Sequence, residues 1–137
     1  PVTITMNGTS SFTDHANPSK STSSTFNNVV ITVTPTSKII NTEEVFGHDY
    51  SHSGTITVSS PNTCLNGAFS LNTETPFFIP NNRSCAILGK QLMTDTVTGQ
   101  VSAVLATATG GIDVDEGNDG VIEQRFTDCK DAEVCAP

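Results

Sequence analysis

The residues best suited to chemistry lie in an acidic segment in the last quarter of the chain. From Asp113 to Glu123 the sequence holds five carboxylates in eleven residues, and Gly117 and Gly120 permit a tight turn there. Ca²⁺ takes roughly six to eight oxygen ligands, which such a loop can supply. The segment is therefore either a Ca²⁺ site or a solvated acidic hairpin loop. The candidate ligands are Asp113, Asp115, Asp119 and Glu123.

Part of this segment resembles the calcium-binding loop of EF-hands and dockerins. The matching residues are Asp115 at the first position, Asp119 at the fifth, Gly120 at the sixth and Ile122 at the hydrophobic eighth. Two positions depart from the family pattern, because Gly117 replaces the third ligand and Phe126 stands at the twelfth position. The resemblance implies Ca²⁺ as the cofactor if the loop binds one, and we expect no other cofactor.

Two histidines four residues apart form the second candidate cluster. His48 and His52 flank Tyr50, and on a strand the three side chains would share one face. A zinc or copper site needs further ligands, and His15 is the only other histidine. We interpret this stretch as a polar loop before a strand.

No catalytic signature is present in the sequence. There is no GxSxG motif and no phosphate-binding glycine loop, and the four cysteines do not stand in a known catalytic context. The chain has no Trp and one Tyr, whereas glycosidases and carbohydrate-binding modules use aromatic rings to stack on sugars. We therefore expect that the protein is not an enzyme.

The charge balance excludes two classes of partner. The formal net charge is −8, with six Lys and Arg residues against fourteen Asp and Glu residues. Such a chain would repel a phosphate backbone or an anionic lipid surface. No apolar run reaches the roughly 20 residues of a membrane-spanning helix. We expect neither nucleic-acid binding nor membrane insertion.

The cysteines indicate the compartment. Cys64, Cys85, Cys129 and Cys135 are even in number and lack CxxC spacing, which favours two disulfides over a metal or redox site. The local pairing Cys64–Cys85 and Cys129–Cys135 is our preferred one of the three that are open. Disulfides predict a secreted, extracellular protein at the cell surface. Two Asn-x-Ser/Thr sequons, at Asn7 and Asn82, add candidate glycosylation sites.

Hydrophobic periodicity predicts strands throughout the chain. The strongest stretch is Phe26–Thr34, which is rich in β-branched residues and is followed by Pro35. Further strands are expected at Pro1–Met6, Gly54–Ser60, Ala68–Leu71, Pro76–Ile79, Cys85–Leu88, Asp95–Ala108 and Val121–Phe126. Short strands with frequent turn signals are typical of an all-β fold. We expect an immunoglobulin-like or jelly-roll-type β-sandwich with an extended N-terminal strand.

The first residues suggest a division of the chain. Val2, Ile4 and Met6 alternate with threonines and are followed, from Asp14 to Ser24, by a segment with little to bury. We expect residues 1–24 to form a strand extension with a Ser/Thr-rich linker, and residues 25–137 to form one β-sandwich domain.

A tethered apolar strand of this kind resembles the donor strand of chaperone–usher and related pilins. Those subunits polymerise by inserting a strand into a neighbouring subunit that lacks one. The resemblance implies that Val2, Ile4 and Met6 are donor residues and that Val29, Ile31 and Val33 line the acceptor groove. It further implies a homopolymer of copies of this chain. The alternative is a monomeric secreted adhesin or binding module, stabilised by Ca²⁺ if the acidic loop binds it.

Overall fold

The computed structural model describes residues 1–13, 15–16, 21–59 and 66–131, which form one antiparallel sheet of eight strands. The strands are β1 (Val2–Phe12), β2 (Thr22–Ile40), β3 (Glu43–Ser59), β4 (Gly67–Pro80), β5 (Leu88–Asp95), β6 (Val101–Ala106), β7 (Ile112–Glu116) and β8 (Gln124–Phe126). Each strand pairs with the next one along the chain, so β1 and β8 are the edges of the sheet.

The expected all-β class is confirmed, and the topology is simpler than the one expected. Immunoglobulin-like and jelly-roll sandwiches divide their strands between two sheets joined by Greek-key crossovers. Here the described strands form a meander in the order β1 to β8 within one sheet. Short connections favour this order, because a two-residue turn can only join antiparallel neighbours. No helix in the described ranges has the length and apolarity needed to cross a membrane.

The strand predicted most strongly, Phe26–Thr34, is the middle of β2. The observed strand is longer than predicted and continues through Pro35 to Ile40. Val2, the first residue of β1, pairs with Val33 of β2. Pro35 lies beyond this pair, where β2 has no described neighbour on the β1 side. A proline is tolerated at such an edge. Asn41 and Thr42, both with positive φ, then form the hairpin turn to β3.

A line of irregularities crosses the first four strands. Asn28 is an extra residue against both neighbours, because the register of β2 shifts between Asn27 and Val30 against β3 and at the same place against β1. Asn28 has a φ of 48°, a left-handed conformation that asparagine tolerates better than most residues. The register between β3 and β4 shifts between Tyr50 and Ser53. Bulges of this kind bend strands and increase their twist.

Side chains replace some of the backbone hydrogen bonds that these irregularities remove. The Thr73 hydroxyl accepts a hydrogen bond from the His52 amide at 2.7 Å and donates one to the His52 carbonyl at 3.0 Å. The Asn28 amide donates to Oδ1 of Asn7 at 2.8 Å. A threonine and an asparagine thus hold adjacent strands together where the ladder is interrupted.

The core of the described chain is small. Its buried hydrophobic residues are Val29, Val58, Phe78, Ile87 and Ala103. Phe78 is fully buried, and the Lys38 ammonium lies 5.3 Å from the centre of its ring. Lys38 also pairs with Asp49 across the β2–β3 hairpin at 3.0 Å. The cation–π contact and the Lys38–Asp49 ion pair therefore cover one side of the Phe78 ring.

The predicted strand Asp95–Ala108 is interrupted by a turn. β5 ends at Asp95, and the carboxylate of Asp95 accepts hydrogen bonds from the amides of Val97 and Thr98 at 2.8 and 2.9 Å. These bonds, from Thr98 first and then Val97, lower the pKa of Asp95 below its ordinary value. Local capping by an aspartate competes with extension of the strand. Val97 is therefore an exposed turn residue.

Replacement of Gly54 tests the packing at the line of irregularities. Gly54 has a φ of +113°, and a Cβ there would collide with the backbone of Asn28 and Val29. Gly117, with a φ of +105°, has open space around its Cα and is the matched control. We expect Gly117→Ala to lower the free energy of unfolding by about 1–3 kcal/mol, and Gly54→Ala by about 2–5 kcal/mol. Urea denaturation of both variants measures the difference, and equal losses would contradict the close approach.

Candidate functional site

The predicted donor strand lies against the predicted acceptor strand within the same chain. The residue pairs on opposing positions are Val2 with Val33, Ile4 with Ile31, and Met6 with Val29. Directly opposed side chains of an antiparallel pair share one face of the sheet, so these six residues form two adjacent apolar rows. β1 thus occupies the position that a donor strand would occupy, and it comes from its own subunit.

Burial along this pair is uneven. Val29 is 3% exposed and Met6 is half-buried, whereas Ile4 and Val2 are 50% and 62% exposed. Hydrophobic stabilisation follows the apolar area removed from water. The anchoring of β1 by its apolar side chains is therefore strongest at Met6 and weakens towards Val2.

The Asn7–Asn28 hydrogen bond is the second anchor of β1. Asn7 lies at the register shift between Met6 and Gly8, and its side chain reaches the amide of Asn28, the extra residue of β2. Further along β1, the hydroxyl groups of Thr9 and Thr25 lie 3.2 Å apart. β1 is therefore held by backbone pairing, one apolar row and a few polar contacts, all with β2.

The acidic segment forms the end of β7 and the loop to β8. Asp115 is 5% exposed and accepts hydrogen bonds from the amides of Asp119 and Gly120, each at 2.9 Å. In the loop between β7 and β8, Gly117, Asn118 and Gly120 have positive φ. The Gly-Asn-Asp-Gly sequence therefore provides the turn, and the Asp115 carboxylate holds it closed.

The other predicted Ca²⁺ ligands also have protein partners. Arg125 donates two hydrogen bonds to Asp113, at 2.8 and 3.0 Å, and this pairing raises the pKa of Arg125. Glu123 accepts from the Glu116 amide at 2.7 Å, and Asp119 from the Val121 amide at 2.9 Å. Each carboxylate therefore serves as an internal acceptor, as expected for the interpretation as an acidic hairpin loop.

The four predicted Ca²⁺ ligands do not converge on one point. In the described ranges, the one group of three ligand-bearing side chains within 4.8 Å of one another is Cys85, Asp128 and Cys129. Its two sulfur atoms are joined in a disulfide and cannot act as thiolate ligands. The carboxylates of the acidic segment are instead spread along β7 and the loop that follows it.

The predicted histidine pair lies within β3 and not in a loop. The His48 ring lies 6.5 Å from the Tyr50 ring, and His52 Nδ1 lies 3.1 Å from the Gln91 side-chain oxygen. The His52 ring also contacts Phe77, with 6.3 Å between the ring centres. These contacts give both histidines structural neighbours in the sheet.

The preferred disulfide pairing is wrong, because Cys85 is bonded to Cys129 with a Cα–Cα distance of 5.8 Å. The bond joins segments 44 residues apart in the sequence. The β6–β7 connection lies beside both cysteines, since the Cys129 amide donates to the Gly110 carbonyl and a Cβ on Gly110 would lie 3.3 Å from the Cβ of Cys85. Cys64 and Cys135, the other halves of the predicted pairs, lie outside the described residues.

A shallow cavity of about 290 Å³ lies beside this disulfide. Arg83, Ser84, Thr109, Thr127 and Asp128 are among the residues that line it, so its surface is polar. The sequon residue Asn82 is exposed in the adjoining turn. Asn7 is also exposed, and the hydrogen bond to Asn28 uses its oxygen and not the nitrogen that would carry a glycan. Glycosylation at both sites stays a prediction.

No protein family, curated protein or solved structure matches the chain. The functional argument therefore depends on the geometry of the chain itself.

Sequence analysis missed the residues that hold the first two strands in register. The sequence marks Asn7 only as a sequon and places Asn28 inside the predicted strand Phe26–Thr34, although the structure joins them. The Asn27-Asn28 pair before six β-branched residues is the signal that could have indicated a bulge. Its partner Asn7 is 21 residues away and could not have been identified from spacing.

Removal of the Asn7 side chain tests the second anchor of β1. In unglycosylated protein, we expect Asn7→Ala to lower the free energy of unfolding by about 0.5–1.5 kcal/mol, because the Asn28 amide loses its partner in the protein. The β1 amides should also exchange faster with solvent, since the first strand detaches more often. Asn27→Ala is the matched control on the same exposed stretch. Unchanged hydrogen exchange in Asn7→Ala would contradict the anchoring role.

Substitution of Asp115 tests whether its carboxylate organises the β7–β8 loop. Asp115→Asn leaves one oxygen for two amide donors and points an NH₂ group at one of them, so we expect a loss of about 2–3 kcal/mol in unfolding free energy. Asp119→Asn, which keeps an oxygen for its single donor, should lose less than about 1 kcal/mol. Chemical denaturation compares the two. A rise in wild-type Tm on adding Ca²⁺, absent from Asp115→Asn, would instead support a Ca²⁺ site.

Proposed function

We propose that this chain is the structural subunit of an extracellular filament, in which β1 of one copy pairs with β2 of the next. The observation that carries the proposal is the position of β1. It is an edge strand, it pairs only with β2 among the described strands, and its apolar residues oppose those predicted to line the acceptor groove.

Exchange of β1 between copies preserves the contacts that β1 makes. A β1 strand that leaves β2 uncovers an unpaired strand edge and the side chain of Val29, which is 3% exposed in the closed chain. An identical strand from a second copy restores the same hydrogen bonds and the same apolar contacts. Exchange of an identical element is a low-cost route to association for this reason. A head-to-tail exchange that does not close into a ring continues as a filament.

The length of the connection favours exchange. Nine residues, 13–21, separate β1 from β2. Fully extended, nine residues reach about 30 Å, whereas a two-residue turn is enough to join adjacent antiparallel strands. The additional length allows β1 to reach a neighbouring subunit without distorting β2.

An extracellular location agrees with the chemistry of the chain. The Cys85–Cys129 disulfide joins the β4–β5 connection to the segment after β8. Disulfides persist mainly in oxidising compartments. The net charge of −8 opposes non-specific aggregation of copies.

A cross-linking experiment distinguishes exchanged from closed strands. Thr3 and Thr32 oppose each other in β1 and β2, and their hydroxyl oxygens lie 3.5 Å apart. Opposed residues of an antiparallel pair have Cα atoms about 4.5–5.5 Å apart, which suits a disulfide. In Thr3→Cys/Thr32→Cys, exchanged strands should give a ladder of covalent multimers on non-reducing gels. Closed strands should give a covalent monomer.

The single variants Thr3→Cys and Thr32→Cys are the controls, because neither can form this bond at the exchange site. We expect the ladder together with regular filaments by negative-stain electron microscopy. A covalent monomer and dispersed particles would overturn the proposal and favour a monomeric secreted adhesin or binding module. The polar cavity beside Arg83 would then be the first place to search for its ligand.

A further inference from the structure

One face of the sheet at the β2–β3 hairpin end carries large apolar side chains that are exposed or half-buried in the described part of the chain. Directly opposed residues share a face, and so do alternate residues along a strand. By this rule Val2, Val33, Tyr50 and Phe77 form a row across four strands. We name this surface the open face. Its apolar residues are Val2, Ile4, Ile31, Val33, Ile39, Phe46, Tyr50, Phe77 and Ile79.

The two faces of these strands differ in burial. The apolar residues of the open face are half-buried or exposed, and Ile39 and Phe46 are 69% and 60% exposed. Val29, further along β2 on the same face, is 3% exposed, so the open face ends there. On the opposite face of the same strands, Gly47, Phe78 and Pro80 are buried. The chain therefore places its core on one side here and leaves the other side open. Four of the seven large hydrophobic residues that are strongly exposed in the described chain, Val2, Ile4, Ile39 and Phe46, lie on the open face.

The low charge of the open face favours a second copy of this chain as its partner. The only carboxylate on the open face is Glu44, and its Oε1 accepts a hydrogen bond from Ser37 at 2.7 Å. The chain as a whole has fourteen acidic residues and a net charge of −8. Two copies that approach through most other surfaces bring acidic groups together, whereas two open faces meet with little repulsion.

We infer that the open face is an interface between two copies of this chain, packed sheet against sheet. The segments that carry it, 2–4, 31–39, 44–50 and 77–79, hold about 22 residues, which at about 3.3 Å per residue and 4.8 Å between strands cover roughly 350 Å² per copy. Two copies would bury about 700 Å², below the roughly 1,000 Å² of a stable specific interface. The association is therefore weak and reversible. This contact is separate from strand exchange, which does not use Ile39 or Phe46.

The test compares two double variants. Ile39→Thr/Phe46→Ser removes the most exposed apolar side chains of the open face. Val97→Thr/Val121→Ser is the matched control, because Val97 and Val121 are 87% and 57% exposed in the β5–β6 and β7–β8 connections. Sedimentation velocity measures association over about 1–300 μM protein, at low and at high salt. If filaments form, electron microscopy measures their lateral pairing. Thermal melts check that both variants remain folded, as expected for exposed positions.

We expect the open-face variant to associate at least about tenfold more weakly than the control, and wild-type association to strengthen with salt as repulsion is screened. Equal association of the two variants, or no reversible association of the wild type, would overturn the inference. The Thr3→Cys/Thr32→Cys ladder is read separately. If the double cysteine variant gives a covalent monomer while association still depends on Ile39 and Phe46, strand exchange is rejected and the open-face contact is retained.

Discussion

The conformation of Asn28 is the constraint on which the first half of the sheet depends. It is an extra residue against both β1 and β3, so its backbone cannot follow either ladder. Asn7 accepts the hydrogen bond of its amide, and Gly54 gives its backbone room on the other side. Three residues on three strands must therefore match for β1, β2 and β3 to remain in register.

A meander makes every strand dependent on its immediate neighbours. Each of the strands β2 to β7 is paired on both sides, whereas among the described strands β1 pairs with β2 alone and β8 with β7 alone. Because Val2 and Ile4 remain largely exposed, the backbone ladder and the Met6 end provide most of the attachment. An edge strand held in this way can open without disturbing the buried residues around Phe78. This difference in local stability is the physical basis for assigning β1 a role between copies.

The two ends of the structure use polar groups in different ways. At the β2–β3 hairpin, Lys38 and Asp49 cover the Phe78 ring and complete one face, which leaves the opposite face open. At the β7–β8 hairpin, the carboxylates turn inward to the loop's own amides and to Arg125. The carboxylates of the acidic hairpin thus find partners within the hairpin, whereas Ile39 and Phe46 of the apolar hairpin remain exposed. We therefore expect self-association to involve the first half of the chain.

Local patterns accounted for much of the fold. Alternation and β-branched residues located the middle of β2, the end of β3 and both halves of β4, because strand formation depends on side chains a few residues apart. The turn at Asp95 was missed, since its capping hydrogen bonds compete with an equally plausible alternation through Val97. The Ca²⁺ ligands were chosen by type and spacing, but backbone amides and Arg125 are closer partners for them in the fold.

The sequence by itself determined the all-β class, the apolar alternation of Val2, Ile4 and Met6, and the acidic character of the surface, because these depend on composition and short-range period. Only the tertiary structure decided that Cys85 pairs with Cys129, that Asn7 binds Asn28, and that Val2, Ile39 and Phe46 share one open face. Each of these relations joins residues distant in the sequence. They follow from strand register, and a one-residue shift in register would turn every side chain to the other face.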